Sequence, residues 1–161
     1  MVKLALQIKA ELENLTDLQP NLDHDFHLRV RCNHCNEENP NVITMNINEE
    51  HEIQGSRGTA NFVMKCKFCS RQSSASFDTT SKPLVRPYTA DHSGQFSPVV
   101  VIECRGLEFV GFEPRDGWTA KGVESGTPFE VDLSEGEWVD YDDKANNPVG
   151  VSEIEAKFVI A

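Results

Sequence analysis

The sequence predicts an all-β protein built of two similar halves, and three observations predict it. Apolar and polar residues alternate at period two through most of the chain. The segment LQIKAELENLTDLQP (6–20) aligns with VVIECRGLEFVGFEP (100–114) at an offset of 94 residues, since 100 − 6 = 94. Two CxxC pairs, Cys32/Cys35 and Cys66/Cys69, each close an alternating run.

The opening segment is ambiguous by itself. Leu4, Ile8, Leu12 and Leu15 suit a helix, whereas Leu4, Leu6, Ile8, Ala10 and Leu12 suit a strand. The repeat decides. It matches Leu6 to Val100, Ile8 to Ile102, Leu15 to Phe109, Leu18 to Phe112 and Pro20 to Pro114, and the valine run of the second copy is β in character. Residues 3–12 are therefore expected to form a strand. In FHLRVRC, Phe26, Leu28, Val30 and Cys32 share one face and His27, Arg29 and Arg31 the other. NFVMKCKFC sets Phe62, Met64 and Cys66 against Val63, Lys65 and Lys67. Both are half-buried strands running into a CxxC turn. SPVVVIEC, TPFEVDL, EWVDY and VGVSEIEAKFVI read as strands too, separated by Gly, Pro, Asn and Ser clusters. ITMNINEEHEIQ (43–54) faintly echoes FEVDLSEGEWVDY (129–141), and the proline-bearing stretch 79–98 reads as a long loop or linker. The expected architecture is two β-sandwich or barrel-like halves, 1–90 and 91–161, packed as one compact unit about an approximate two-fold axis. Only the first half carries the CxxC pairs.

Composition excludes some functions. The chain has 161 residues, 39% hydrophobic and 25% charged, with no apolar run long enough to span a membrane. A net charge of -11 repels phosphate backbones, so no nucleic-acid partner and no membrane are expected. Lys65, Lys67 and Arg71 beside one CxxC turn, with Arg29 and Arg31 beside the other, form the one basic cluster. They read better as cations offsetting thiolates. MVKLALQIKAELENL is interrupted by charges and has no cleavage site, which predicts a cytoplasmic protein with reduced thiols.

Two CxxC pairs at strand ends point to a tetrahedral zinc site, since four soft ligands from two tight turns can enclose one ion. The 30 residues between Cys35 and Cys66 allow a hairpin excursion. A thioredoxin-like redox centre would need a CxxC opening a helix, and neither does. His34 reads as a solvated turn residue; His24, His27, His51 and His92 lack ligand spacing and are expected at the surface. Cys104 shares a face with Val100 and Ile102, so it reads as a buried structural thiol. GVESGT (122–127) lacks a P-loop lysine and reads as a turn. The acidic run DLSEGEWVDYDDK (132–144) reads as a solvated edge strand and loop, with a partner surface around Trp138 and Tyr141 as the alternative.

The opening LALQIKAELENLTDLQP, the two CxxC turns, GSRGTANFVMKCKFC, IECRGLEFVGFEP, GVESGT and WVDYDDKA occur in an order that resembles the eukaryotic CXXC-motif-containing zinc-binding proteins. The resemblance spans nearly the whole chain. It implies a small cytosolic β-protein of two similar halves, one zinc ion held by Cys32, Cys35, Cys66 and Cys69, and no established enzymatic activity. Together these readings give a non-catalytic, monomeric protein-interaction module with one structural zinc, in which loss of a ligand loosens the first half. The competing expectation is a thiol- or metal-dependent redox or metal-transfer factor.

Overall fold

The computed structural model describes residues 2–21, 23–80 and 82–161. Among these residues fourteen strands follow in order: β1 (Val2–Glu13), β2 (Leu15–Pro20), β3 (Phe26–Cys32), β4 (Ile43–Met45), β5 (His51–Glu52), β6 (Thr59–Ala60), β7 (Phe62–Lys65), β8 (Gln72–Phe77), β9 (Ser97–Arg105), β10 (Leu107–Glu113), β11 (Trp118–Gly122), β12 (Pro128–Val131), β13 (Trp138–Asp142) and β14 (Asn147–Ile160). One 3-10 turn, Ala90–His92, precedes β9. There is no α-helix among the described residues, and no helix there is long and apolar enough to cross a membrane.

The expected strand over residues 3–12 is present. Even-numbered residues of β1 from Leu4 to Ala10 are buried, as alternation requires. A six-stranded sheet has the order β13-β14-β1-β9-β8-β7, and two three-stranded sheets have the orders β10-β3-β4 and β12-β11-β2. The long central strands turn sharply into the small sheets, β1 into β2 at Asn14 (φ 53°) and β9 into β10 at Gly106 (φ 77°). Positive φ is tolerated by Gly and, among side-chain-bearing residues, best by Asn.

Strands from both ends of the chain share every sheet of three or more strands. β10 pairs with β3, Phe109 opposite Val30, and β2 pairs with β11, Pro20 opposite Trp118. The orders also read as palindromes. When β1, β2, β3, β4, β7 and β8 are matched to β9, β10, β11, β12, β13 and β14, the six-stranded sheet becomes its own reverse and each small sheet becomes the other.

Two cores result. Leu6, Phe26, Leu28, Val30, Phe77, Ile102, Cys104 and Phe109 pack in the first; Ile8, Leu15, Leu18, Tyr88, Val99, Trp118, Val131 and Val151 pack in the second. The β1–β9 register shifts between Leu6–Val100 and Gln7–Pro98, so Val99 is an extra residue. This bulge flips the side-chain parity of β9 and sends Val99 to the second core, while Val100 and Ile102 stay in the first. Cys104 is buried, as expected. The loop before β9 is anchored by Tyr88, whose hydroxyl accepts from the Ala10 amide and reaches the carbonyls of His92 and Gln95.

His24 corrects a sequence expectation. It is 6% exposed and not at the surface, with its ring edge-on to Phe26 at 4.9 Å and Trp118 at 5.8 Å. The cause is a glycine distant in sequence: Gly117 (φ 85°) leaves space where a Cβ would meet His24 Nδ1 at 2.8 Å. Burial, then the charge of His27, holds the His24 pKa below its ordinary value of 6.5, with Asp25, Asp116 and Asp23 opposing. A depressed histidine is protonated first in the unfolded chain. Its contribution to stability is therefore complete above pH 6.5 and is lost as pH falls through 6.5 toward the folded pKa. His24→Phe should flatten the fall in denaturation midpoint below pH 6.5; an unchanged slope would remove His24 as its source.

Candidate metal centre

Each CxxC is the tip of a hairpin-like turn held by backbone bonds. β3 delivers Cys32, whose amide donates to the Glu37 carbonyl at 3.0 Å and whose carbonyl accepts from the Asn36 amide at 2.9 Å. β7 leads into Cys66, whose amide donates to Arg71 and whose carbonyl accepts from Ser70, both at 2.9 Å. Asn36 and Ser70, each directly after the second cysteine of its pair, both take φ 63°. Such a left-handed residue reverses the chain and leaves the two sulfurs of the turn on one side.

The two turns face one another. All four sulfurs lie within 4.8 Å of each other, and two close approaches cross between turns: Cys32 Sγ to Cys69 Sγ and Cys35 Sγ to Cys66 Sγ, both 3.7 Å. A disulfide needs about 2.05 Å, and none is present among these cysteines. A zinc ion with Zn–S bonds of about 2.3 Å at tetrahedral angles sets sulfurs about 3.8 Å apart. The donor set therefore fits zinc in number, chemistry and spacing. Cys32 and Cys66 are buried and Cys35 and Cys69 half-buried.

Backbone amides prepare the thiolates. The amides of Cys69 and Phe68 pull the Cys66 thiol down to about 7. Cys35 receives the Glu37 amide, yet burial and the neighbouring sulfurs push it up to about 12. A metal must displace these protons, so affinity falls as pH falls.

The surroundings differ from expectation in one respect. Arg29 and Arg31 are engaged by Glu113 and Glu108 of β10, so they are not cations held for the thiolates. Arg71 lies closer in role, its guanidinium 3.2 Å from Nδ1 of exposed His34, which ties the two turns together. Lys65 and Lys67 have no carboxylate partner among the described residues. Sequence reasoning missed Gly106 and Ser73. The Gly106 carbonyl accepts from the Asn33 amide and from Ser73 Oγ, both at 3.0 Å, and a Cβ there would press on His34 Nε2 and Ser73 Oγ. A glycine between VVIEC and LEFVGF is the signal that could have drawn notice to it.

A cavity of about 220 Å³ opens beside the centre, lined by Val30, Ile43, Phe62, Met64, Lys65 and Phe68, and also by Cys32 and Cys66 themselves. Phe68 is 61% exposed.

The acidic run is not uniformly solvated. β13 is an edge strand, with Val139 and Tyr141 exposed, but Trp138 is half-buried against Phe129 at 5.8 Å and Asp142 is 1% exposed. Asp142 and GVESGT, read separately from the sequence, meet: Ser125 Oγ donates to the Asp142 carboxylate.

Residues 5–159 match the model of the family described as CXXC motif containing zinc binding protein, eukaryotic. The chain is 46% identical over 163 residues to UPF0587 protein CG4646 of Drosophila melanogaster, covering 99% of this chain and 98% of that one. It is 40% identical over 161 residues to the CXXC motif containing zinc binding protein of Homo sapiens, covering 99% of each. The crystal structure of C1orf123 matches with a TM-score of 0.91 at 40% identity, covering 99% of both chains. A hypothetical protein from Plasmodium falciparum matches with 0.87 at 26% identity, covering 99% of this chain and 100% of that one. Four cysteines gathered at zinc spacing, in a chain similar to these proteins from end to end, lead to one conclusion: the chain belongs to the eukaryotic family of CXXC motif containing zinc binding proteins, and zinc is its cofactor.

Proposed function

We propose that the chain is a non-catalytic, monomeric interaction module of the cytosol, in which one zinc ion held by Cys32, Cys35, Cys66 and Cys69 shapes a docking pocket for another protein. One observation carries this reading: Cys32 and Cys66 are at once members of the four-sulfur cluster and part of the pocket wall. A shell closed by four thiolates leaves no position for substrate or activated water. The metal instead fixes the distance between β3 and β7, and so the width of the pocket. The occupant we infer is an apolar side chain within an acidic segment. The floor is aliphatic and aromatic, while Lys65 and Lys67 stand at the rim without carboxylate partners among the described residues, in a chain of net charge -11. Glu37 also lines the rim and would orient such a segment by repulsion. We further read the halves as two copies of one ancestral unit, a reading supported by the palindromic strand orders.

The test is a titration of zinc-loaded protein with a synthetic acidic peptide carrying one central leucine, followed by amide chemical shifts. Shifts should centre on residues 62–68 and vanish with Lys65→Glu/Lys67→Glu or Phe68→Ala at unchanged zinc content. Equal binding of a neutral peptide, or shifts elsewhere, would remove this occupant.

Metal transfer is the second reading, favoured by the half-buried positions of Cys35 and Cys69. Exchange against a competing chelator separates the two. Slow loss with unfolding supports the structural role, and rapid, reversible transfer from a folded protein supports the other.

A further inference from the structure

The two turns that meet at Asp142 follow the two turns of the metal centre position for position, in most of their backbone bonds and in their positive φ angles. In the first, Gly122 takes the place of Cys32. Its amide donates to the Thr127 carbonyl at 2.9 Å and its carbonyl accepts from the Gly126 amide at 2.9 Å, as Cys32 does with Glu37 and Asn36. Gly126 has φ 70° where Asn36 has 63°. The residue after each first position donates to a strand corner: Asn33 to Gly106 and Val123 to Asn14, both at 3.0 Å, and both corners have positive φ. In the second turn Asp142 takes the place of Cys66, paired with Asn147 as Cys66 is bonded to Arg71, and Asn146 has φ 58° where Ser70 has 63°.

The ligand-facing bonds correspond as well. The amides of Phe68 and Cys69 point at the Cys66 sulfur, and those of Lys144 and Ala145 donate to Asp142 Oδ1 at 3.1 and 3.2 Å. The Glu37 amide points at the Cys35 sulfur, and the Thr127 amide donates to Ser125 Oγ at 3.0 Å. Gly122, Ser125, Asp142 and Ala145 therefore stand where the four cysteines stand. A Cβ on Gly122 would collide with the Asp142 carboxylate and come within 2.7 Å of Ser125 Oγ, so glycine vacates the space the carboxylate fills.

We propose that these turns form a second, metal-independent twin of the zinc centre, in which the Asp142 carboxylate ties the two turns together in place of the ion. Ser125 and, at 3.4 Å, Thr127 reach it from one turn, and the amides of Lys144 and Ala145 from its own. Four amide and hydroxyl donors on a carboxylate that is 1% exposed do for this end of the molecule what four thiolates on Zn2+ do for the other. The frame keeps its capacity for a thiophilic divalent cation and lacks only the sulfurs. The inference stands on these bonds and goes beyond the interaction reading, which concerns the other centre.

The experiment is the variant G122C/S125C/D142C/A145C, refolded in zinc beside the unaltered chain. Elemental analysis should rise from one to two zinc per chain, and cobalt substitution should about double the thiolate-to-metal absorption. A folded variant that holds one zinc overturns the proposal. An unaltered chain without zinc would sink the reading of the first centre and leave this comparison intact. Should the variant fail to fold, Asp142→Ala decides through amide exchange. Loss of the tie should cut protection at both 122–126 and 142–146 by about tenfold or more, the equivalent of a charge-assisted hydrogen bond. An effect confined to 142–146 would overturn the proposal.

Discussion

Cys66→Ser should abolish zinc binding and leave the chain unfolded at ordinary temperatures. Structural zinc contributes on the order of 10 kcal/mol or more of apparent binding free energy in small zinc domains. A domain of this size has a net stability of roughly 5–15 kcal/mol. The two are comparable, so losing the ion removes most of the margin. Interleaving determines how far the damage spreads. β3 ends at Cys32 and is paired with β10, and β8, directly after the second turn, is paired with β9. Residues 91–161 thus supply strands that pair with those flanking the cysteine turns, so unfolding should extend well beyond the first half, whereas the sequence led to the expectation that only that half would loosen. Circular dichroism and metal analysis on the same sample check this. Cys104→Ala is the control: its thiol is pushed up to about 12 by burial and lies in the core, and it is not a member of the four-sulfur cluster. It should keep full zinc and lose only about 1–2 kcal/mol, a small cavity cost. A folded, cooperative Cys66→Ser chain without metal would contradict the structural role.

What the sequence disclosed and what it hid divide along a physical line. Period-two alternation reports which face of a strand is buried, so Phe26, Leu28, Val30 and Cys32 could be read in place. The CxxC spacing is equally local, which is why the four cysteines are legible in the sequence. Alternation says nothing about which strand lies alongside. The exchange that puts β10 beside β3 and β2 beside β11 depends on the corners at Gly106 and Asn14, single residues whose positive φ has no periodic signature. His24 was misplaced because its burial depends on the absence of a side chain at Gly117, far along the chain. Asp142 was hidden among Asp140, Asp143 and Glu137, which are exposed. Its burial and its contacts with Ser125 and Thr127, 17 and 15 residues away, distinguish it.

Trp118→Ala should cost about 3–5 kcal/mol, the range for deleting a fully buried aromatic ring, while leaving the zinc content of the folded fraction unchanged. Trp118 is 1% exposed and lies in the second core, with Phe112 at 6.2 Å and His24 at 5.8 Å between ring centroids. Phe112 packs against both cores, so the ring acts as a wedge where they meet. Backbone pairing cannot compensate, because Trp118 already pairs with Pro20 on one side and Val131 on the other. Trp118→Phe separates volume from polarity. The indole Nε1–H is buried without a hydrogen-bond partner among the described residues, and an unmade bond of that kind costs about 1–3 kcal/mol. Phenylalanine removes that donor and keeps most of the ring, so its cavity cost is largely offset. The expected order in denaturant midpoint, measured with zinc in excess, is the unaltered chain close to Trp118→Phe, with Trp118→Ala far below. If phenylalanine proved as costly as alanine, the indole nitrogen would have to be satisfied in solution, and the wedge would owe its effect to that bond and not to its volume.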